Sequence, residues 1–301
     1  MRPAAWNASA GALPFVRSAQ LVMSVFKLRI GVAIALTALA GWAVTPGSQL
    51  TGWQVFTLGI AVLLASASAG AFNQYAEADV DARMARTRRR AFVSGGLRRS
   101  AVWPIAIGLL CTLAVGAAWH VLNPLSAMYV FLGAFVYGVV YTVWLKRRTW
   151  LNIVVGGLAG SFAVLAGAAA VDPGIGINAW ILAVVLFLWT PPHFWSLATA
   201  YRQDYEAARI PMLPVVAGDA LCARVIFAHT VVLVSLSLLP AFLGLGGIYF
   251  SLALTGGALF LYKSWHLMRA PGPKAAMANF HASLLQLTLL LCGALLDRAL
   301  S

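Results

Sequence analysis

Nine stretches of the chain are continuously apolar, at residues 30–44, 53–72, 101–121, 125–144, 151–171, 179–200, 225–245, 249–262 and 276–296. Most come close to the roughly 20 apolar residues that carry a helix across a bilayer. The pattern predicts an all-α integral membrane protein with nine transmembrane helices, residues 1–301 forming a single polytopic domain. The first and eighth segments are short, and Lys27, Arg29 and Lys263 at their edges can snorkel to the interface and so extend them. Lys27 and Arg29 ahead of an apolar run also look like the start of a secretory leader. Nothing downstream reads as a mature soluble domain, which favours a first membrane span.

Composition agrees with lipid as the solvent. Hydrophobic residues make up 61% of the chain and charged residues 10%, against about 25% in soluble domains, and mean hydropathy is +0.86. Cys111, Cys222 and Cys292 lie far apart with no C-x-x-C pair, and read as packing residues. The net charge of +13 raises the question of a nucleic-acid partner, but the distribution of the bases answers it. The tail up to Arg29 and the connections 73–100, 145–150, 201–224 and 263–275 hold every Lys and Arg except Arg298. By the positive-inside rule these regions face the cytoplasm, which puts the N-terminus inside, the C-terminus in the periplasm and the chain in the cell inner membrane. The partner that the charge implies is the bilayer, not nucleic acid.

The acids then single out one membrane face. Glu77, Asp79, Asp81, Asp204, Glu206 and Asp219 lie in two of those loops, and only Asp172 and Asp297 lie elsewhere. If the second span continues as a helix, Asn73, Glu77 and Asp81 follow one another at i, i+4 and i+8 on one stripe, with Asp79 pointing away. Hard oxygen ligands at a bundle mouth suit Mg²⁺, and Arg83, Arg86, Arg88, Arg89 and Arg90 suit a diphosphate leaving group. The alternative is a positive-inside anchor with compensating acids.

In the second loop, Pro191 and Pro192 break an apolar span just before His193, which lies within the bundle. His193 reads either as a hydrogen-bonded packing residue or as a functional one. Asp204, three residues after Tyr201, can supply a carboxylate opposite the first cluster. His120, His229, His266 and His281 share no spacing and carry no assignment.

The chain thus contains N-x-x-x-(D/E)-x-D-x-D followed by M-x-R-T, and Tyr141-Thr142 ahead of Leu145-Lys146-Arg147-Arg148-Thr149. It also contains Asn152-Ile-Val-Val-Gly156-Gly157, and P-P-H-F-W-x-L-A ahead of D-Y-x-x-A-x-I-P-M-L-P. In this order the motifs resemble the UbiA superfamily of intramembrane prenyltransferases, and its haem branch in particular, over nearly the whole chain from Lys27 to Asp297. The resemblance implies a helical bundle around a central cavity, Mg²⁺ as cofactor, and transfer of a farnesyl chain from farnesyl diphosphate to a vinyl group of haem b. It also implies work beside a haem A synthase or terminal oxidase assembly proteins.

Carried over residue by residue, Asn73, Glu77, Asp81 and Asp204 fall on the metal-binding and catalytic motifs, and Lys27, Arg29, Arg86, Arg90, Lys146 and Arg147 on diphosphate-binding positions. His193, Trp195 and Tyr201 are the candidates for contact with haem. The chain departs from the family pattern at Glu77, where Asp is usual, and at Leu28 and Ala91, where Pro is usual. Ala163-Val164 replace a Pro pair, and Arg209 replaces Gly. The rival readings are a prenyltransferase for an aromatic quinone precursor or another tetrapyrrole, and a transporter or non-catalytic assembly factor. Acids gathered at one face, not paired near the bilayer midplane, argue against transport.

Overall fold

The computed structural model describes residues 15–300, so the first part of the tail expected in the cytoplasm lies outside the described residues. Among the described residues there are helices and no strands. In chain order they are α1 (Phe15–Val25), α2 (Leu28–Ala43), α3 (Gly52–Ala76), α4 (Ala78–Asp81), α5 (Val102–Val121) and α6 (Pro124–Phe135), which runs on as a π-helix (Val136–Leu145). There follow α7 (Asn152–Gly156), α8 (Leu158–Val171), α9 (Ile177–Ala200), α10 (Arg202–Ala207), α11 (Leu213–Ala217), α12 (Asp219–Phe242), α13 (Gly247–Arg269) and α14 (Pro273–Leu300).

Seven helical runs among the described residues are long and apolar enough to cross a bilayer, and the chain is a multi-pass membrane protein. They are α3, α5, α6 with its π extension, α7 with α8, α9, α12 and α14. Of the two remaining apolar segments, α2 is a shorter apolar helix, and the segment expected to be short at 249–262 forms the 23-residue α13. That helix is less apolar than the seven, because Lys263, His266 and Arg269 occupy its second half.

Local sequence sets the helix starts. Thr51 and Gln54 form a reciprocal capping box that opens α3, and Asn123 accepts from Ser126 N at 2.8 Å ahead of Pro124, the first residue of α6. Asp297 on α14 accepts from Gly246 N and Tyr249 N, so the free amides that open α13 are satisfied from a neighbouring helix. Successive long helices pack side by side, and α14 returns to α2 to close the ring; further contacts join α2 to α8 and α9 to α14.

Lipid is as apolar as a Leu side chain, so helices in a bilayer associate through close packing more than through the hydrophobic effect. A Cβ on Gly41 would lie 2.1 Å from Val164 O, and one on Gly167 would lie 1.8 Å from Ala38 O, so the α2 and α8 backbones touch. One apolar core follows α8, α9 and α12 to α14, with Leu182, Leu233, Tyr249, Phe260 and Leu290 fully buried. A second, containing Val80, Tyr141, Trp195, Tyr205, Ile210, Met212 and Leu267, lies under the two acidic loops and fixes one against the other.

One local expectation needs correction, because the helix does not run unbroken from Asn73 to Asp81. α3 ends at Ala76, and Glu77 takes φ −104° and ψ 15° before α4 begins. Glu77 N still donates to Asn73 O at 3.0 Å and Asp81 N to Glu77 O at 2.8 Å, so the three side chains keep their i, i+4, i+8 succession across the kink.

The Gly167→Ala variant is expected to lose stability by at least about 1–3 kcal/mol, because its methyl group cannot coexist with the Ala38 carbonyl unless α2 and α8 move apart. Thermal unfolding in detergent measures this, with Gly108→Ala on α5, where an added Cβ meets nothing within 4 Å, as the neutral comparison.

Candidate active site

The break after α3 gathers buried charge at the end of the helix. Asn73, Glu77 and Asp81 are 2%, 1% and 2% exposed. Two carboxylates can be buried this deeply only if cations and hydrogen bonds match them. Lys146, at the end of the π-helix, pairs with Glu77 Oε2, which also accepts from Asn73 Nδ2 at 2.7 Å. Arg90 NH1 reaches both oxygens of Asp81, at 2.7 and 2.8 Å. Lys27 Nζ donates to Asn73 Oδ1 at 2.7 Å and to the Tyr137 hydroxyl at 3.3 Å, both neutral partners. Burial first, then the charges of Arg90 and Lys146, lower the Lys27 ammonium to about 7. Three cations surround two carboxylates, and the cation without an acid of its own is Lys27.

The π-helix positions one wall of this site. With i to i+5 bonding, residues five apart share a face. Lys146 N donates to Tyr141 O at 2.9 Å, and the Thr142 hydroxyl donates to Tyr137 O at 2.8 Å and accepts from Asn73 Nδ2 at 3.1 Å. The Tyr137 and Tyr141 rings stack at 5.6 Å, with Lys27 Nζ 5.8 Å from the first ring and Lys146 Nζ 5.6 Å from the second. Sequence reasoning did not name Tyr137, and it quoted Thr142 only as part of a motif, without a role. The available signal was the pair of five-residue spacings, 137 to 142 and 141 to 146.

The other predicted residues lie outside this network. Arg147 makes a bidentate pair with Asp79 at 2.8 and 2.9 Å, with both side chains about half exposed. The Arg147 hydrogen bond holds the Asp79 carboxyl below its usual range, and the pair accounts for Asp79 pointing away from the stripe. Arg29 is exposed, without an ion pair or hydrogen bond to the cluster. Asp204 accepts from the Arg86 backbone amide at 3.1 Å, and the Arg86 guanidinium lies 5.7 Å from the Tyr201 ring, so the second loop docks on the first through Arg86. Tyr201 and Asp204 line an open cleft of about 370 Å³ with Arg202, Asp219 and Pro273.

Among the described residues, no three His, Cys, Asp or Glu side chains converge as a formed metal site. A divalent metal nevertheless fits the donor set, which consists of hard oxygens as Mg²⁺ requires. Glu77 Oε1 is buried without a hydrogen-bond partner, so one acceptor of the donor set is left for a cation.

His193 lies in α9 directly after the Pro pair, which does not break the span as expected: α9 runs as one helix from Ile177 to Ala200 with both prolines inside it. The His193 ring is sandwiched between Trp189, at 4.2 Å and 19°, and Phe280, at 4.4 Å and 25°, and its Nδ1 is 2.7 Å from Ser283 Oγ. Trp195 points elsewhere, fully buried in the core under the loops between Trp150 and His229. The three predicted haem contacts therefore have three different surroundings, and only His193 combines burial with a polar partner in the bundle. Trp189, four residues before His193 on α9, is a helical neighbour that spacing could have shown, whereas Phe280 and Ser283 come from α14, far from α9 along the chain.

The comparisons with known proteins agree with one another. Residues 34–290 match the UbiA prenyltransferase family. Over 94% of this chain and 98% of the relative, the sequence is 55% identical to protoheme IX farnesyltransferase 2 of Paramagnetospirillum magneticum. The fold is similar to that of a solved digeranylgeranylglyceryl phosphate synthase, with a TM-score of 0.77 and 14% identity over 94% of this chain and 99% of that one. It is also similar to a UbiA homolog from Archaeoglobus fulgidus bound to DMAPP and Mg²⁺, with a TM-score of 0.66 and 12% identity over 89% and 98% of the two chains. The chain belongs to the UbiA prenyltransferase family.

Proposed function

We propose that the protein transfers the farnesyl group of farnesyl diphosphate to a vinyl group of haem b, giving haem O. The observation that carries the acceptor is 55% identity to a protoheme IX farnesyltransferase along 94% of the chain. The donor rests on the site itself, where Lys27, Arg90 and Lys146 outnumber the carboxylates they accompany. In this reading residues 1–301 form one unit that crosses the inner membrane nine times, with the N-terminus cytoplasmic and the C-terminus periplasmic. The product, a haem with a lipophilic tail, passes to a haem A synthase or to terminal oxidase assembly proteins.

The difficult step is ionisation of the allylic carbon–oxygen bond, in which the diphosphate leaves with the electron pair. Lys27, Arg90 and Lys146 hold its oxygens as charge grows on them, and Lys27 gains the anionic partner it lacks. Asn73, Glu77 and Asp81 would hold Mg²⁺, with Asp204 completing the set once the second loop closes on the first, and the ion would supply Lewis-acid neutralisation at the diphosphate. Arg86, and Arg147 once drawn from Asp79, extend the basic rim, while Arg29 stands outside it. The Tyr137 and Tyr141 rings and the apolar bundle keep water from the allylic cation. The vinyl π electrons form the new carbon–carbon bond, and water adds to the resulting cation with loss of a proton, leaving a hydroxyethylfarnesyl substituent. His193 orients the haem by its ring.

Glu77→Gln and Asp81→Asn are expected to lower turnover at least 100-fold while the proteins fold and insert, since each removes a metal-ligand charge. Asp79→Asn, which breaks only a half-exposed pair, should keep most activity and shift stability by less than about 0.5 kcal/mol. EDTA should abolish turnover of the unmodified enzyme and Mg²⁺ restore it. Mass detection of haem O from purified protein, haem b and farnesyl diphosphate reads all of these, and near-normal rates in both acid variants would refute the metal assignment. A reporter fused after Ser301 should read as periplasmic and one inserted near Gly95 as cytoplasmic; the reverse pair overturns the nine-span topology. His193→Ala should weaken haem retention and haem O formation and leave farnesyl diphosphate binding unchanged. Turnover of 4-hydroxybenzoate but never of haem would overturn the acceptor.

A further inference from the structure

The two ring nitrogens of His193 are not equivalent, and a residue 90 positions away along the chain decides between them. Ser283 Oγ lies 2.7 Å from His193 Nδ1 and also 2.7 Å from Phe280 O. A backbone carbonyl can only accept, and a hydroxyl has one proton. The Ser283 proton is therefore committed to Phe280 O, and what the oxygen turns toward Nδ1 is a lone pair. Nδ1 must carry a hydrogen to complete that bond, which leaves the lone pair of the neutral imidazole on Nε2.

The same residue fixes the ring in a second way. Ser283 O accepts from Trp189 Nε1 at 2.9 Å, and Trp189 stacks on one face of His193 while Phe280, the acceptor of the Ser283 hydroxyl, stacks on the other. Ser283 is fully buried, so water does not compete for these bonds. Nε2 makes no hydrogen bond among the described residues, and His193 keeps 7% of its surface open.

We propose that Ser283 is a positioning residue for the acceptor: by holding His193 as the Nδ1–H tautomer between Trp189 and Phe280, it presents the Nε2 lone pair to the haem iron. This rests on the haem reading above, and it adds the atom, the tautomer and the residue that sets them. A hydrogen bond to the far nitrogen of an iron-bound imidazole also raises its basicity, so losing Ser283 should weaken the ligand as well as loosen it.

The test uses the full chain in detergent with ferric haem b. Ser283→Ala is expected to weaken haem retention on the order of tenfold and to move the Soret band and electron paramagnetic resonance spectrum away from those of the unmodified protein. Farnesyl diphosphate affinity should not change, and Ser283→Thr, which keeps the hydroxyl, should restore both haem readouts. A second measurement needs no variant at the serine: ¹⁵N resonances of labelled His193, assigned by their loss in His193→Ala, should give a protonated Nδ1 and an unprotonated Nε2. The reverse tautomer, or unmodified haem spectra and affinity in Ser283→Ala alongside altered ones in His193→Ala, would overturn the role of Ser283 and leave the haem reading standing. Unchanged haem spectra in His193→Ala itself would instead remove the His193 contact on which the proposal depends.

Discussion

A helix in lipid must satisfy its own backbone, so it can break only where protein or a polar cavity covers the freed groups. The long helices here break or change pitch at three places, and these, with the Pro pair inside α9, organise the rest of the molecule. α3 kinks at Glu77, the third long run turns to π geometry at Val136 and α7 hands over to α8 at Gly157, while α9 carries Pro191 and Pro192 without a break. These breaks are packed on one another. Asn73 before the kink bonds Thr142 in the π-helix, and a Cβ on Gly157 would lie 3.2 Å from Phe187 O, a carbonyl that Pro191 cannot pair. A Cβ on Gly156 would likewise lie 3.1 Å from the Tyr141 ring. Irregular backbone that would be costly against lipid is concentrated where the polar site needs it.

Burial then governs the charges. A carboxylate that is 1% exposed persists as an anion only when cations stand beside it, and Lys146 and Arg90 arrive from different parts of the chain to do this for Glu77 and Asp81. Asn73 links the two sides of the arrangement, receiving Lys27 on its oxygen and giving its amide hydrogens to Glu77 and Thr142. The exposed Arg147–Asp79 pair has good geometry but little energetic weight, because water screens it. Distance to a neighbour is similar in the two cases, and solvent access separates them.

What could be read along the chain follows from which interactions are local. The i, i+4, i+8 spacing of Asn73, Glu77 and Asp81 survives the kink, because two backbone hydrogen bonds bridge it. The collection of Lys27, Lys146 and Arg90 at those acids was anticipated by motif, not by spacing. Arg29 sits two residues from Lys27 yet is exposed, a difference of helix face that the kink between α1 and α2 decides. The π-helix escaped notice because its apolar residues fit α periodicity equally well. The surroundings of His193 escaped because Trp195, two residues on, falls on another face, while Ser283 comes from the last helix.

The departures from the family pattern have local physical reasons. Lys27 takes φ 49° and ψ 43°, a left-handed conformation, and a Pro at the next position would push it toward extended backbone. Leu28 in place of Pro is therefore compatible with the turn that brings the Lys27 ammonium to Asn73. Arg209 stands at φ 55° where Gly would pay no steric penalty, and its exposed side chain leaves the strain to be held by Tyr205 and Ile210, both buried on either side. Val164, at one of the lost Pro positions, presents its carbonyl to Gly41 inside an unbroken α8, so the close α2–α8 contact here depends on regular helix where the usual pattern has a break. Glu77 is one methylene longer than Asp and sits at the kink, where its Oε2 meets Lys146 and Asn73 together and its Oε1 is buried without a partner. Leu28 and Val164 thus bear on the path of the backbone and Glu77 on the reach of a side chain, and the charged atoms still meet at Asn73, Glu77 and Asp81.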